Sequence, residues 1–104
     1  MVICAVSDKK IGIDIEKIRP YNPKAAEKFA TEKELEYIRS NENGFFEIWT
    51  LKEAFFKCTG TGLGADIKNV SFEINGNGIL CSDSRFRCSF IDISSEYICS
   101  LCEE

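Results

Sequence analysis

Residues 45–63, FFEIWTLKEAFFKCTGTGL, leave this chain little choice of local structure. Ala, Leu, Lys and Glu favour helix. Phe45, Ile48, Trp49, Phe55 and Phe56 recur close to helical spacing, so one broad face is apolar. Gly60 and Gly62 supply the stop. A helix with so wide an apolar face has to be covered, and the remaining elements are expected to pack around it. Trp49, Glu53 and Lys57 lie four apart and share one flank. That flank reads either as a solvated i,i+4 salt bridge or as a row of functional groups.

A second stretch bears on the choice. Residues 11–16, IGIDIE, alternate strictly, so Ile11, Ile13 and Ile15 face one way and Gly12, Asp14 and Glu16 the other. The isoleucine face is expected to be core. On the opposite face two carboxylates stand at i and i+2, roughly 6–7 Å apart by the rise of a strand. Acids this close repel unless water or a cation separates them. The pattern therefore suits either a solvent-facing edge strand or a site for a hard divalent cation. Mg²⁺ typically takes one or two protein carboxylates, keeps waters and adds substrate phosphate oxygens. Gly12, beside the acids, leaves room for a ligand to approach the backbone.

A chain of 104 residues makes one domain, spanning 1–104. With 44% hydrophobic residues, eight Phe and 29% charged residues, it can bury a core and is neither disordered nor membrane-embedded. No apolar run approaches a membrane span and no signal peptide opens the chain, so a cytoplasmic protein is expected. A formal charge of −4 argues against a nucleic-acid surface. The six cysteines, in the absence of a secretory signal, are expected to be reduced thiols. Cys99 and Cys102 resemble half a zinc site, but three apart on a strand they face opposite ways, and no second pair exists. The sequence holds no histidine, which excludes Ser-His-Asp and Cys-His catalysis within the chain. Any base must be Asp, Glu, Lys, Tyr or a thiolate.

Residues 2–6 and 11–16 read as a β-hairpin around a polar turn. The first strand begins almost at Met1, which suggests that further chain precedes it in the natural protein. Asn22 and Pro23 fit the cap and first turn of a short helix over residues 23–29. Thr31 and Glu34 fit a capping box for a helix running to about Ser40. Val70, Phe72 and Ile74 alternate, and Asn75-Gly76-Asn77-Gly78 signals a hairpin into residues 79–81. Residues 86–93 and 97–101 read as two further strands. The order of strands, helices and an antiparallel meander predicts an α+β domain with helices packed on one sheet face.

IGIDIE, then FATEKEL, then WTLKEAFFKCTGTGL, in this order and separation, resemble the 4′-phosphopantetheinyl transferase superfamily. The likeness is to the C-terminal half of its larger, surfactin-synthetase-activating type, and it runs through SSEYICSLC. This resemblance implies the family's fold and the transfer of 4′-phosphopantetheine from coenzyme A to a serine of an acyl or peptidyl carrier protein. It makes Asp14, Glu16 and Glu53 the expected Mg²⁺ ligands, and places Lys57 and Lys52 near the coenzyme A phosphates. Glu34 becomes the candidate general base, and Trp49 packs beneath the metal site. The larger type has two similar halves with the active site between them. The resemblance therefore also implies that this chain either pairs with itself or lacks an N-terminal half. A half-domain that binds a cation or partner chain without completing the transfer is the alternative.

Overall fold

In the computed structural model, residues 10–60 and 67–104 are described. The expected strand at 2–6 and the residues Gly62 and Leu63 lie outside that range. The chain runs through strand β1 (Ile11–Lys17), a 3-10 helix (Pro23–Lys28), helices α1 (Glu32–Ser40) and α2 (Gly44–Thr59), and strands β2 (Phe72–Asn75), β3 (Gly78–Cys81), β4 (Arg87–Phe90) and β5 (Tyr97–Glu103).

Local chemistry explains most of these limits. The Asn22 side chain accepts from the Lys24 amide and starts the 3-10 helix with Pro23 in its first turn. The Thr31–Glu34 capping box forms in both directions. Helix α2 ends where Gly60 turns left-handed at φ 74°, a conformation that a Cβ disfavours. The core is the apolar face of α2, where Ile48, Leu51 and Ala54 have no exposed surface. Tyr21, Phe29, Phe45 and Trp49 cover its first turns, with Phe29 and Trp49 centred 5.0 Å apart. Phe55 meets Phe72 and Phe86 near its end.

Strands β1, β5 and β4 form an antiparallel sheet in that order, and β2 and β3 form a separate hairpin. With β5 in the middle, Asp14 sits opposite Ser100 and Gly12 opposite Cys102. Here the structure corrects two expectations. The buried face of β1 is the one bearing Gly12 and Asp14, whereas Ile11, Ile13 and Ile15 are only half-buried on the other side. The reason is Gly12: an added Cβ would stand 2.0 Å from the Ala54 carbonyl oxygen and 2.5 Å from the Cys58 amide nitrogen. The bare glycine lets the strand lie directly on α2, so the space assigned to a ligand is filled by the helix backbone. The second correction concerns the thiols. β4 places Cys88 opposite Cys102, and these two form a disulfide, while Cys58, Cys81 and Cys99 are free.

Candidate active site

Because β1 lies on α2 through Gly12, the next residue on that face, Asp14, is carried against the flank of α2 that bears Glu53 and Lys57. Asp14 is 7% exposed. Lys57 Nζ donates to Asp14 Oδ1 at 2.8 Å and to the Ile13 carbonyl at 3.3 Å. The other carboxylate oxygen, Asp14 Oδ2, is buried and accepts no hydrogen bond. Burial pushes the Asp14 carboxyl up, against the pull of Lys57, and the Glu16 charge adds to the rise. Glu53 is half-buried, and its carboxyl is raised first by burial, then by Asp14, with Glu16 adding and Lys57 opposing. The bond to Asp14 raises the Lys57 ammonium. Glu16, also half-buried, accepts from Arg19 at 3.1 Å. Asp14, Glu16, Glu53 and Lys57 thus form one electrostatically linked group drawn from β1 and α2.

Side chains in these positions do not yet converge as a closed cage. Among the described residues no three or more cysteines, aspartates or glutamates stand close enough to hold a metal ion. The donor set nevertheless suits a hard cation. It consists of carboxylates, one oxygen is buried and unsatisfied, and the mutual repulsion of the acids is what a divalent ion relieves.

Lys52 and Glu34 are not brought to this group. They pair with each other at 2.9 Å, with side chains 0% and 1% exposed. Lys52 also donates to the carbonyls of Ile67 and Val70, at 3.0 and 2.7 Å, so all three of its protons are committed within the fold. Burial lowers the Lys52 ammonium against the opposing pull of Glu34. Glu34 accepts from the Thr31 amide and, across the core, from the Phe72 amide, both at 2.9 Å. Lys52, expected near phosphates, and Glu34, expected as the general base, form with each other a buried strut joining α1, α2 and the start of β2.

Trp49 lies one turn before Glu53 and walls an apolar groove of about 570 Å³ with Phe29, Phe45 and Ile67, with Glu16, Arg19 and Lys28 among its lining residues. A hydroxyl pair passed unnoticed in the sequence: Thr50 Oγ1 and Ser100 Oγ lie 2.7 Å apart, both residues fully buried. They are fifty positions apart, and no local pattern signals their meeting.

The chain matches the family model of the 4′-phosphopantetheinyl transferase superfamily over residues 10–102. It belongs to the 4′-phosphopantetheinyl transferase superfamily. It is 40% identical over 81 residues to the 4′-phosphopantetheinyl transferase gsp of Aneurinibacillus migulanus, covering 73% of this chain and 33% of that protein. To the 4′-phosphopantetheinyl transferase Sfp of Bacillus subtilis strain 168 it is 32% identical over 82 residues, covering 74% and 37%. The chain thus spans about a third of the length of these curated relatives. The fold is that of holo-[acyl-carrier-protein] synthase: the Thermotoga maritima structure superposes with a TM-score of 0.74 at 23% identity, over 90% of this chain and 61% of that one. The Helicobacter pylori synthase, solved in complex with coenzyme A, gives 0.70 at 16% identity, over 90% of this chain and 99% of that one. The transferase fold is thus present in a chain whose acids and lysine are gathered at one β1–α2 contact.

Proposed function

We propose that this domain carries out, in the cytoplasm, the Mg²⁺-dependent transfer of 4′-phosphopantetheine from coenzyme A to a serine of an acyl or peptidyl carrier protein. The observation that carries the reading is the buried, unsatisfied Asp14 Oδ2 beside Glu53 and Lys57 in a chain of this superfamily. Asp14, Glu16 and Glu53 would hold Mg²⁺, which when bound supplies charge neutralisation for a pyrophosphate. Lys57, whose side chain is 53% exposed, can keep its bond to Asp14 and turn remaining protons to phosphate oxygens. The serine oxygen attacks the β-phosphorus, the bond from that phosphorus to the bridging oxygen breaks, and 3′,5′-ADP leaves. The serine proton passes to a carboxylate. The proton moves directly or through a water. Glu34 has both oxygens committed to donors inside the fold and serves the reaction by holding α1 and α2 together.

The chain spans about a third of the length of its curated relatives, so we propose that the site is completed by further protein, either a second copy of this chain or an N-terminal half. The test is calorimetric titration of coenzyme A with and without Mg²⁺, alongside sedimentation and a carrier-protein transfer assay. Mg²⁺-dependent binding that disappears in Glu53→Gln supports the reading. Binding that ignores both Mg²⁺ and this substitution overturns it. A monomer that becomes competent only with an added N-terminal half overturns the self-pairing.

A further inference from the structure

The buried hydroxyl pair between α2 and β5 has a consequence for the cation site beside it. Thr50 stands three residues before Glu53 on α2, and Ser100 is the cross-strand partner of Asp14 on the sheet face turned to that helix. Directly opposed residues of an antiparallel pair have Cβ atoms about 4.5–5.5 Å apart, within reach of a serine hydroxyl and an aspartate oxygen. Asp14 Oδ2 nevertheless has no hydrogen bond, and the Ser100 hydroxyl is turned to Thr50 Oγ1 instead.

The proton count fits that orientation. A threonine hydroxyl has one proton. Thr50 Oγ1 lies 2.7 Å from the Phe46 carbonyl and 3.2 Å from the Glu47 carbonyl, which can only accept, so its proton points there. Either hydroxyl can donate in the 2.7 Å contact with Ser100, and with the Thr50 proton on the Phe46 carbonyl it is the serine that donates. Its single proton is held by Thr50 and is not available to Asp14.

We infer that Thr50 is a positioning residue that keeps the Ser100 proton away from Asp14 Oδ2, so that this oxygen stays open to a divalent cation. The inference rests on the cation reading of Asp14, Glu16 and Glu53. It predicts an asymmetry that simple packing does not. In Thr50→Val the Ser100 hydroxyl loses its acceptor, turns to Asp14 Oδ2 and competes with the ion. In Ser100→Ala the Thr50 proton remains on Phe46 and the Asp14 oxygen remains open.

The experiment titrates Mg²⁺ alone into the full chain by calorimetry and records melting midpoints in parallel. Wild type, Thr50→Val, Thr50→Ser, Ser100→Ala, the Thr50→Val/Ser100→Ala pair and Glu53→Gln are compared. A hydrogen bond to a charged group sets the expected scale, so Thr50→Val weakens Mg²⁺ binding about tenfold. Ser100→Ala and Thr50→Ser stay within about twofold of wild type, and the double variant recovers to about the wild-type affinity, since removing the competing hydroxyl removes the competition. The melting midpoint of the double variant does not recover with it, which separates a site effect from a fold effect. Thr50→Val within twofold of wild type, or a double variant as weak as Thr50→Val, overturns the inference while leaving the cation site standing. Wild-type binding that is absent, or equal in Glu53→Gln, overturns the cation reading itself and this inference with it.

Discussion

Replacing Glu34 by Gln is the sharpest test of whether the buried strut is structural. The Lys52 ammonium is fully buried and has three acceptors: Glu34 Oε1 at 2.9 Å and two backbone carbonyls at 3.0 and 2.7 Å. Glutamine keeps the shape but removes the carboxylate that compensates Lys52, and its amide must set two donors among groups that already donate. Breaking a buried pair from one side costs about 3–5 kcal/mol. Set against about 5–15 kcal/mol for a whole domain, this is a large part of the total. At about 4–8 °C per kcal/mol for a domain near this size, the melting midpoint should fall by at least about 12 °C. Lys52→Met should cost a similar amount, leaving the Glu34 charge with the Thr31 and Phe72 amides alone. The double variant, apolar facing neutral, should be less damaged than the two losses added, with a coupling of about 1.5 kcal/mol or more. Urea unfolding, with the slope checked for constancy, gives all four corners. A Glu34→Gln loss below about 1 kcal/mol, or strict additivity, would show that the pair does not bear on stability and would return Glu34 to consideration as an available base.

Gly12→Ala should cost about 3 kcal/mol or more, because its Cβ meets backbone atoms of Ala54 and Cys58 that cannot turn aside, and Mg²⁺ binding should weaken as Asp14 is pushed from α2; a melting midpoint within a few degrees of wild type would contradict the close approach. The raised carboxyls of Asp14 and Glu53 mean that, above the ordinary values of 3.8 and 4.5, the folded state binds more protons than the unfolded one, so their contribution to stability falls as pH rises through that window. Without metal, Glu53→Gln should therefore be slightly more stable than wild type at neutral pH, by about 0.5 kcal/mol, and the difference should vanish below the ordinary carboxylate range; melting scans from about pH 3 to about pH 8 settle the sign. Reduction of the Cys88–Cys102 bond, which closes a separation of 14 residues, should lower stability by about 3 kcal/mol in denaturant titrations with and without reductant, and a Cys88→Ser variant should lose the response.

What could be read from the sequence divides by the range of the interactions. The capping box at Thr31 and Glu34, the Gly60 stop and the period of α2 are set by residues within one turn of each other, and each is found where its residues predict it. The direction of β1 was not legible. Alternation says that Ile11, Ile13 and Ile15 share a face, but which face is covered depends on where α2 lies, and hydrophobicity pointed to the wrong one. Lys52 shows the same limit. Its place on α2 was legible, but the acceptors that draw it inward are Glu34 from α1 and the carbonyls of Ile67 and Val70, fifteen and eighteen residues further on. Cys88 and Cys102 needed the β4–β5 register, and Thr50 and Ser100 needed the contact of α2 with β5. Gly12 joins these observations. An isoleucine face buried against α2 would have turned Asp14 away from the helix, out of reach of Lys57. A strand pressed down through a glycine turns Asp14 inward instead, beside Ser100 and against α2. The feature that turns IGIDIE over from the face its hydrophobicity favours is thus the one that brings a β1 carboxylate to Lys57 and the Glu53 flank of α2, and a chain that buried its isoleucines there would not form that group.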